Sequence, residues 1–103
     1  MVIFGLKNCD TCKKALRALP GAKLHDVREN PLERTELERF FAAFGDALVN
    51  RKSTTWRGLS EAERARDPIV LLGAHPTLMK RPVIEGKQGL FLGWGEETRK
   101  VLL

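Results

Sequence analysis

Cys9 and Cys12 are the only cysteines in this chain of 103 residues, three positions apart in Asn8-Cys9-Asp10-Thr11-Cys12. The spacing alone leaves three uses open: a metal site, a cycling dithiol, or two small buried side chains. A structural zinc site normally takes four ligands, and the other soft donors, His25 and His75, are far apart in sequence, so no metal is expected. The setting of the pair points to redox chemistry instead. Val2-Ile3-Phe4 is a short apolar run closed by Gly5, and from about Asp10 the pattern becomes helical, so the cysteines fall where a strand passes into a helix. Unpaired N–H groups and the positive end of the helix dipole stabilise a thiolate at that point. Cys9, at or just before the first turn, takes most of this stabilisation and reads as the nucleophile. Lys7, Lys13 and Lys14 add positive charge nearby, with Lys7 a candidate for binding an anionic substrate. Cys12, one turn further in, suits resolution of a mixed disulfide formed at Cys9.

The elements that must hold these residues can be read in turn. Ala15, Leu16 and Leu19 line one face of the first helix, which Pro20-Gly21 stops. Leu24-His25-Asp26-Val27 reads as a second strand, and strand-helix-strand in so few residues predicts a parallel βαβ unit. Thr35 and Glu38 have capping-box spacing ahead of Leu37, Phe40, Phe41 and Phe44, and Ser60 and Glu63 repeat that signal. Pro68 can start another short helix, so residues 35–75 or thereabouts read as a helical insert. Pro82-Val83-Ile84-Glu85 restores strand character, Gly86-Lys87-Gln88-Gly89 is hairpin-turn chemistry, and Leu90-Phe91-Leu92 pairs back. A last amphipathic helix runs from about Glu96 to Leu103. The resulting class is α/β, one mixed sheet in the order β-α-β, helices, β-β-α, in a single domain over residues 1–103.

Composition agrees with a globular domain, 43% hydrophobic and 30% charged. No apolar run approaches the roughly 20 residues of a membrane helix, and the start lacks signal-peptide character, so a cytoplasmic protein without a membrane partner is expected. The formal charge of +5 suits an anionic partner. Lys/Arg runs stop at two and aromatics are not interleaved with them, which argues against a nucleic-acid surface.

A second chemical element is Lys80-Arg81-Pro82-Val83, a proline opening a strand after a basic residue. In a thioredoxin-like sheet this is where a cis proline faces the cysteine pair, and cis bonds are essentially confined to X-Pro. Pro82 would expose the backbone of Arg81 to an extended substrate, and Arg81 could hold an anion beside Cys9. Together, the segment from Asn8 to Ala15, Arg81-Pro82-Val83 and the stretch from Arg51 to Arg57 resemble the ArsC family of arsenate reductases over nearly the whole chain. The resemblance is greatest to its YffB branch and more distant to the Spx regulators. It implies a thioredoxin-like fold, a mixed four-stranded sheet with a helical insert, and Cys9 as nucleophile. It also implies that Arg51 and Arg81 match two of the three arginines that hold the oxyanion in arsenate reductases. The third, after the final hairpin, has no counterpart in Leu92-Gly93-Trp94-Gly95.

These readings converge on a cytosolic thiol-dependent reductase, with Cys9 attacking an arsenate-like oxyanion or a glutathione mixed disulfide. Glutathione or a glutaredoxin-type reductant would supply electrons, glutathione serving as co-substrate, with no metal or organic cofactor. The alternative is an Spx-like redox-sensing regulator that docks on RNA polymerase, its C-x-x-C acting as the switch.

Overall fold

The computed structural model describes all 103 residues. In chain order the elements are β1 (Val2–Gly5), α1 (Asp10–Ala18), β2 (Lys23–Asp26), α2 (Arg34–Phe44), α3 (Thr54–Arg57), α4 (Glu61–Arg64), α5 (Pro68–Ala74), β3 (Val83–Gly86), β4 (Gly89–Leu92) and α6 (Glu96–Leu102). They divide into two compact units, one of Met1–Asn30 with Arg81–Leu103 and one of Pro31–Lys80. The second is the helical insert, with wider limits than its apolar periodicity indicated.

The first unit is built on a four-stranded sheet in the order β2-β1-β3-β4. β1 and β2 run parallel, with Phe4 opposite His25 and Gly5 opposite Asp26. β3 is antiparallel to both its neighbours, so the sheet is mixed, as expected. Ile3 and Ile84 sit opposite each other across β1 and β3, and with Ala15 and Leu19 they form the core of this unit. Alternation along the central strands and helical spacing along α1 thus bring two periodicities to one apolar layer. Leu16, Leu24, Phe91, Trp94 and Leu102 cover its margin. The hairpin closes as the turn residues require: Gly86 faces Gly89 across Lys87-Gln88, and Gly89 has a φ of 121°, a conformation open to glycine.

The second unit is an α-helical layer around Leu37, Phe40, Leu48, Leu71, Leu72, Leu78 and Met79, all buried. Two of its helix starts follow their sequence signals. Ser60 and Glu63 form a reciprocal capping box, each backbone N–H bonding the other's side chain at 3.2 Å. Pro68 occupies the first turn of α5, and Asp67 caps it by accepting from the Ile69 N–H at 2.8 Å. The Thr35–Glu38 box does not form. Glu33 holds the extended N-cap conformation (ψ 159°), so Thr35 already lies within the first turn, where its hydroxyl cannot cap.

Candidate active site

Cys9 is the N-cap of α1, in extended conformation with φ −92° and ψ 122°. Its carbonyl accepts the Lys13 N–H at 2.9 Å, the first helical bond, and its own N–H donates to the Leu6 carbonyl at 3.1 Å. The thiol makes no ordinary side-chain cap in its neutral form. Its ionised form is another matter. Burial opposes the charge, but hydrogen bonds from the Cys12 N–H, the Cys12 thiol, the Arg81 side chain and the Thr11 N–H outweigh it, and the Cys9 pKa falls below that of an ordinary thiol. Backbone N–H groups at the start of α1 and the Arg81 side chain thus favour the Cys9 thiolate.

Cys12 is the opposite case. It is fully buried, and burial pushes its thiol up to about 11, with the neighbouring Cys9 adding to the rise against a hydrogen bond from the Leu6 N–H and the charge of Arg81. Two thiols three residues apart are thus driven in opposite directions, one poised as thiolate and one held protonated as a donor to it. Gly5, at the end of β1, makes room for this arrangement. A Cβ at Gly5 would collide with the Cys12 Sγ and lie 3.4 Å from the Cys12 Cβ and 4.0 Å from the Pro82 Cβ. The Arg81–Pro82 peptide bond is cis, and the buried Pro82 accepts the Gly93 N–H on its carbonyl at 2.7 Å. Cys9, Cys12, Arg81 and Pro82 are therefore gathered at one end of the sheet unit.

The remaining candidates have other surroundings. The Lys7 ammonium forms an ion pair with Glu29, which raises its pKa. Its backbone N–H donates to Asp26. Arg51 belongs to the helical unit. There its guanidinium lies 5.2 Å from the Trp56 ring centroid, 3.7 Å from an Asp46 carboxylate oxygen and 3.3 Å from the Asp46 carbonyl. It lines an open cavity of about 450 Å³ together with Asn50, Lys52 and Lys80, so three cations border this hollow. The Trp56 ring is flanked by a second guanidinium, that of Arg64 at 5.4 Å. Trp94, at the place where a third arginine was sought, packs against the core of the sheet unit. No group of three or more His, Cys, Asp or Glu side chains comes together as a metal site.

Two residues at the site carry more weight than their sequence context announced, Gly5 and Asp26. Asp26 is buried and accepts backbone N–H bonds from Lys7 at 2.9 Å, Arg28 at 2.8 Å and Glu29 at 3.0 Å. An aspartate at a strand end is a recognisable turn former for the residues that follow it. The bond across to Lys7 has no local signal.

The family model described as the ArsC family matches residues 4–101. The chain belongs to the ArsC family. An uncharacterised protein of Haemophilus influenzae is 39% identical over 106 aligned positions, covering 94% of this chain and 93% of that protein. A solved structure described as the YffB protein superposes with a TM-score of 0.87 at 33% identity, covering 99% of this chain and 97% of that one. The global transcriptional regulator Spx of Streptococcus pneumoniae is 23% identical, covering 100% of this chain and 85% of the regulator. The architecture is accordingly the thioredoxin-like, arsenate-reductase-like fold of this family. No helix is long and apolar enough to cross a membrane.

Proposed function

We propose that this protein is a cytoplasmic thiol-dependent reductase whose nucleophile is Cys9. The observation that carries the reading is the split ionisation of the pair, a lowered Cys9 beside a Cys12 raised to about 11, with Arg81 hydrogen-bonded to the Cys9 sulfur. The Cys9 thiolate attacks one sulfur of a disulfide such as a glutathione mixed disulfide. An S–S bond forms to Cys9, and the other sulfur leaves as a thiolate. Resolution follows by one of two thiols. Glutathione attacks the Cys9 adduct and departs as oxidised glutathione. Alternatively Cys12 gives up its proton, attacks Cys9 and leaves an internal disulfide that a glutaredoxin-type reductant restores. Arg81 neutralises anionic charge at the sulfur, and Arg51 is the second anion-binding candidate. An arsenate-like oxyanion is the other substrate class. Trp94, packed against the margin of the sheet unit's core where the resemblance implies a third oxyanion-binding arginine, favours the disulfide.

The test is a glutathione-supported assay with arsenate and with mixed disulfides, comparing wild type, Cys9→Ser and Cys12→Ser. Cys9→Ser should abolish turnover, and equal activity in that variant would rule the mechanism out. A partial loss in Cys12→Ser would assign resolution to Cys12, whereas full activity would assign it to glutathione. The relation to Spx over the full length of the chain, together with the C-x-x-C, supports a second reading, a redox-sensing regulator that binds RNA polymerase. Clear retention on the polymerase α subunit combined with no turnover would put that reading first.

A further inference from the structure

A buried carboxylate that touches no sulfur is joined to the Cys9 backbone through a single peptide group. The Lys7 N–H donates to Asp26 Oδ2 at 2.9 Å. The same peptide group carries the Leu6 carbonyl, which accepts the Cys9 N–H at 3.1 Å. The peptide unit is planar, so fixing its N–H end also fixes the direction of its C=O end. The other Asp26 oxygen takes the Arg28 and Glu29 N–H groups at 2.8 Å and 3.0 Å, which anchors the carboxylate in the turn after β2. Val27 adds a main-chain tie, its N–H reaching the Gly5 carbonyl at 2.9 Å.

We infer that Asp26 is the positioning residue of the nucleophile: it orients the Leu6–Lys7 peptide so that the Leu6 carbonyl anchors the Cys9 backbone. The role rests on the reductase reading for its purpose but not for its test. Three N–H donors satisfy a carboxylate that is only 8% exposed, and they hold it ionised, its pKa lowered first by the Lys7 N–H and then by that of Glu29, against burial. The charged and titratable groups around it are Lys7 and Glu29, paired with each other, Arg28 in the turn, and His25, whose ring Nε2 lies 2.8 Å from the Asn30 carbonyl. Around Cys9 they are Cys12 and Arg81. The Asp26 charge alone opposes a thiolate at Cys9, so its role is to hold the Leu6–Lys7 peptide in place.

Asp26→Asn separates this role from a purely local one. An amide offers one acceptor oxygen where the carboxylate offers two. The adjacent Arg28 and Glu29 N–H groups retain it, and the side-chain NH₂ is left facing Lys7. The full-length variant should stay folded by circular dichroism. Its Cys9 alkylation profile should move up by about one pH unit, roughly a tenfold slower capture at neutral pH, with the plateau rate unchanged. A folded variant whose profile is unmoved, or moves down as loss of the charge alone would move it, overturns the inference. Amide hydrogen exchange on wild type is independent of whether the variant folds. Lys7 and Cys9 N–H groups should be protected to the level of β1, and exchange at open-loop rates would overturn the inference by itself. Neither readout involves a substrate, so a wild type inert in every reductase assay would defeat the proposed function and leave this inference to its own results.

Discussion

The two units use their polar side chains differently. In the sheet unit Asp26 and His25 make local bonds to Arg28, Glu29 and Asn30, but two side-chain bonds, both at Lys7, span long stretches of chain: Asp26 to Lys7 crosses 19 residues and Lys7 to Glu29 crosses 22. In the helical unit many are local bonds reaching two or three residues, a turn at Asn50–Lys52 and caps at Ser53–Trp56, Ser60–Glu63 and Asp67–Ile69. Longer ones include Arg51 with the Asp46 carbonyl, and Thr55 with Thr77 at 2.8 Å and Arg64 with the Trp56 carbonyl, which tie one helix to another. One unit therefore uses polar groups to place a loop, and the other uses them to begin and end helices. A cap is worth about 1 kcal/mol. A bond that aims a reactive sulfur matters less for stability than for the sulfur's ionisation.

If packing dominates the helical unit, truncating its core should be the costliest change. Phe40 is fully buried, and Phe40→Ala should destabilise the chain by about 3–5 kcal/mol in urea unfolding, which combines lost transfer energy with a cavity. A cost no larger than that of losing a cap would break the comparison. Gly5→Ala comes next. The new methyl meets the Cys12 sulfur, and overpacking of this kind costs about 1–3 kcal/mol. Because the strain falls on the sulfur, the Cys9 alkylation profile should move as well, and a destabilised variant with a wild-type profile would detach Gly5 from the site.

A smaller effect follows from Cys12. Its folded pKa, about 11, lies above the unfolded value, so it favours the folded state at neutral pH, and that contribution is lost as pH rises toward 11. Stability measured from neutral pH upward should decline across that window, and Cys12→Ser should flatten the decline. At neutral pH a limiting dose of iodoacetamide should label Cys9 and spare Cys12, as peptide mass spectrometry would read. The smallest effect is expected of Ser60→Ala, about 1 kcal/mol, with no change in thiol ionisation.

The same contrast explains what could be read in advance. The βαβ start, the hairpin, the Ser60 box and the helix opened by Pro68 all rest on neighbours in sequence, so their residues announce them. Cys9 was legible for the same reason, since a helix start is a local event. Thr35 shows the limit of that method, because spacing fits a box whether or not the helix begins there. Asp26 and Gly5 were passed over because their meaning lies in partners brought in by the fold, a backbone N–H in another loop and a sulfur in the facing helix. Arg51 became a candidate only through the family resemblance, since nothing in its own surroundings in sequence marks an anion site.

Trp94 bears on how this branch of the family can change. Its indole is packed against the layer formed by Ile3, Ala15, Leu19 and Ile84. An arginine there would have to leave that layer for water or bring an unmatched charge into it, at a cost of several kcal/mol. A single codon change at this position is thus met first by the margin of the sheet unit's core. The hairpin, α1 and α6 all meet at this margin through Phe91, Leu16 and Leu102, so a change at Trp94 is felt by three elements at once.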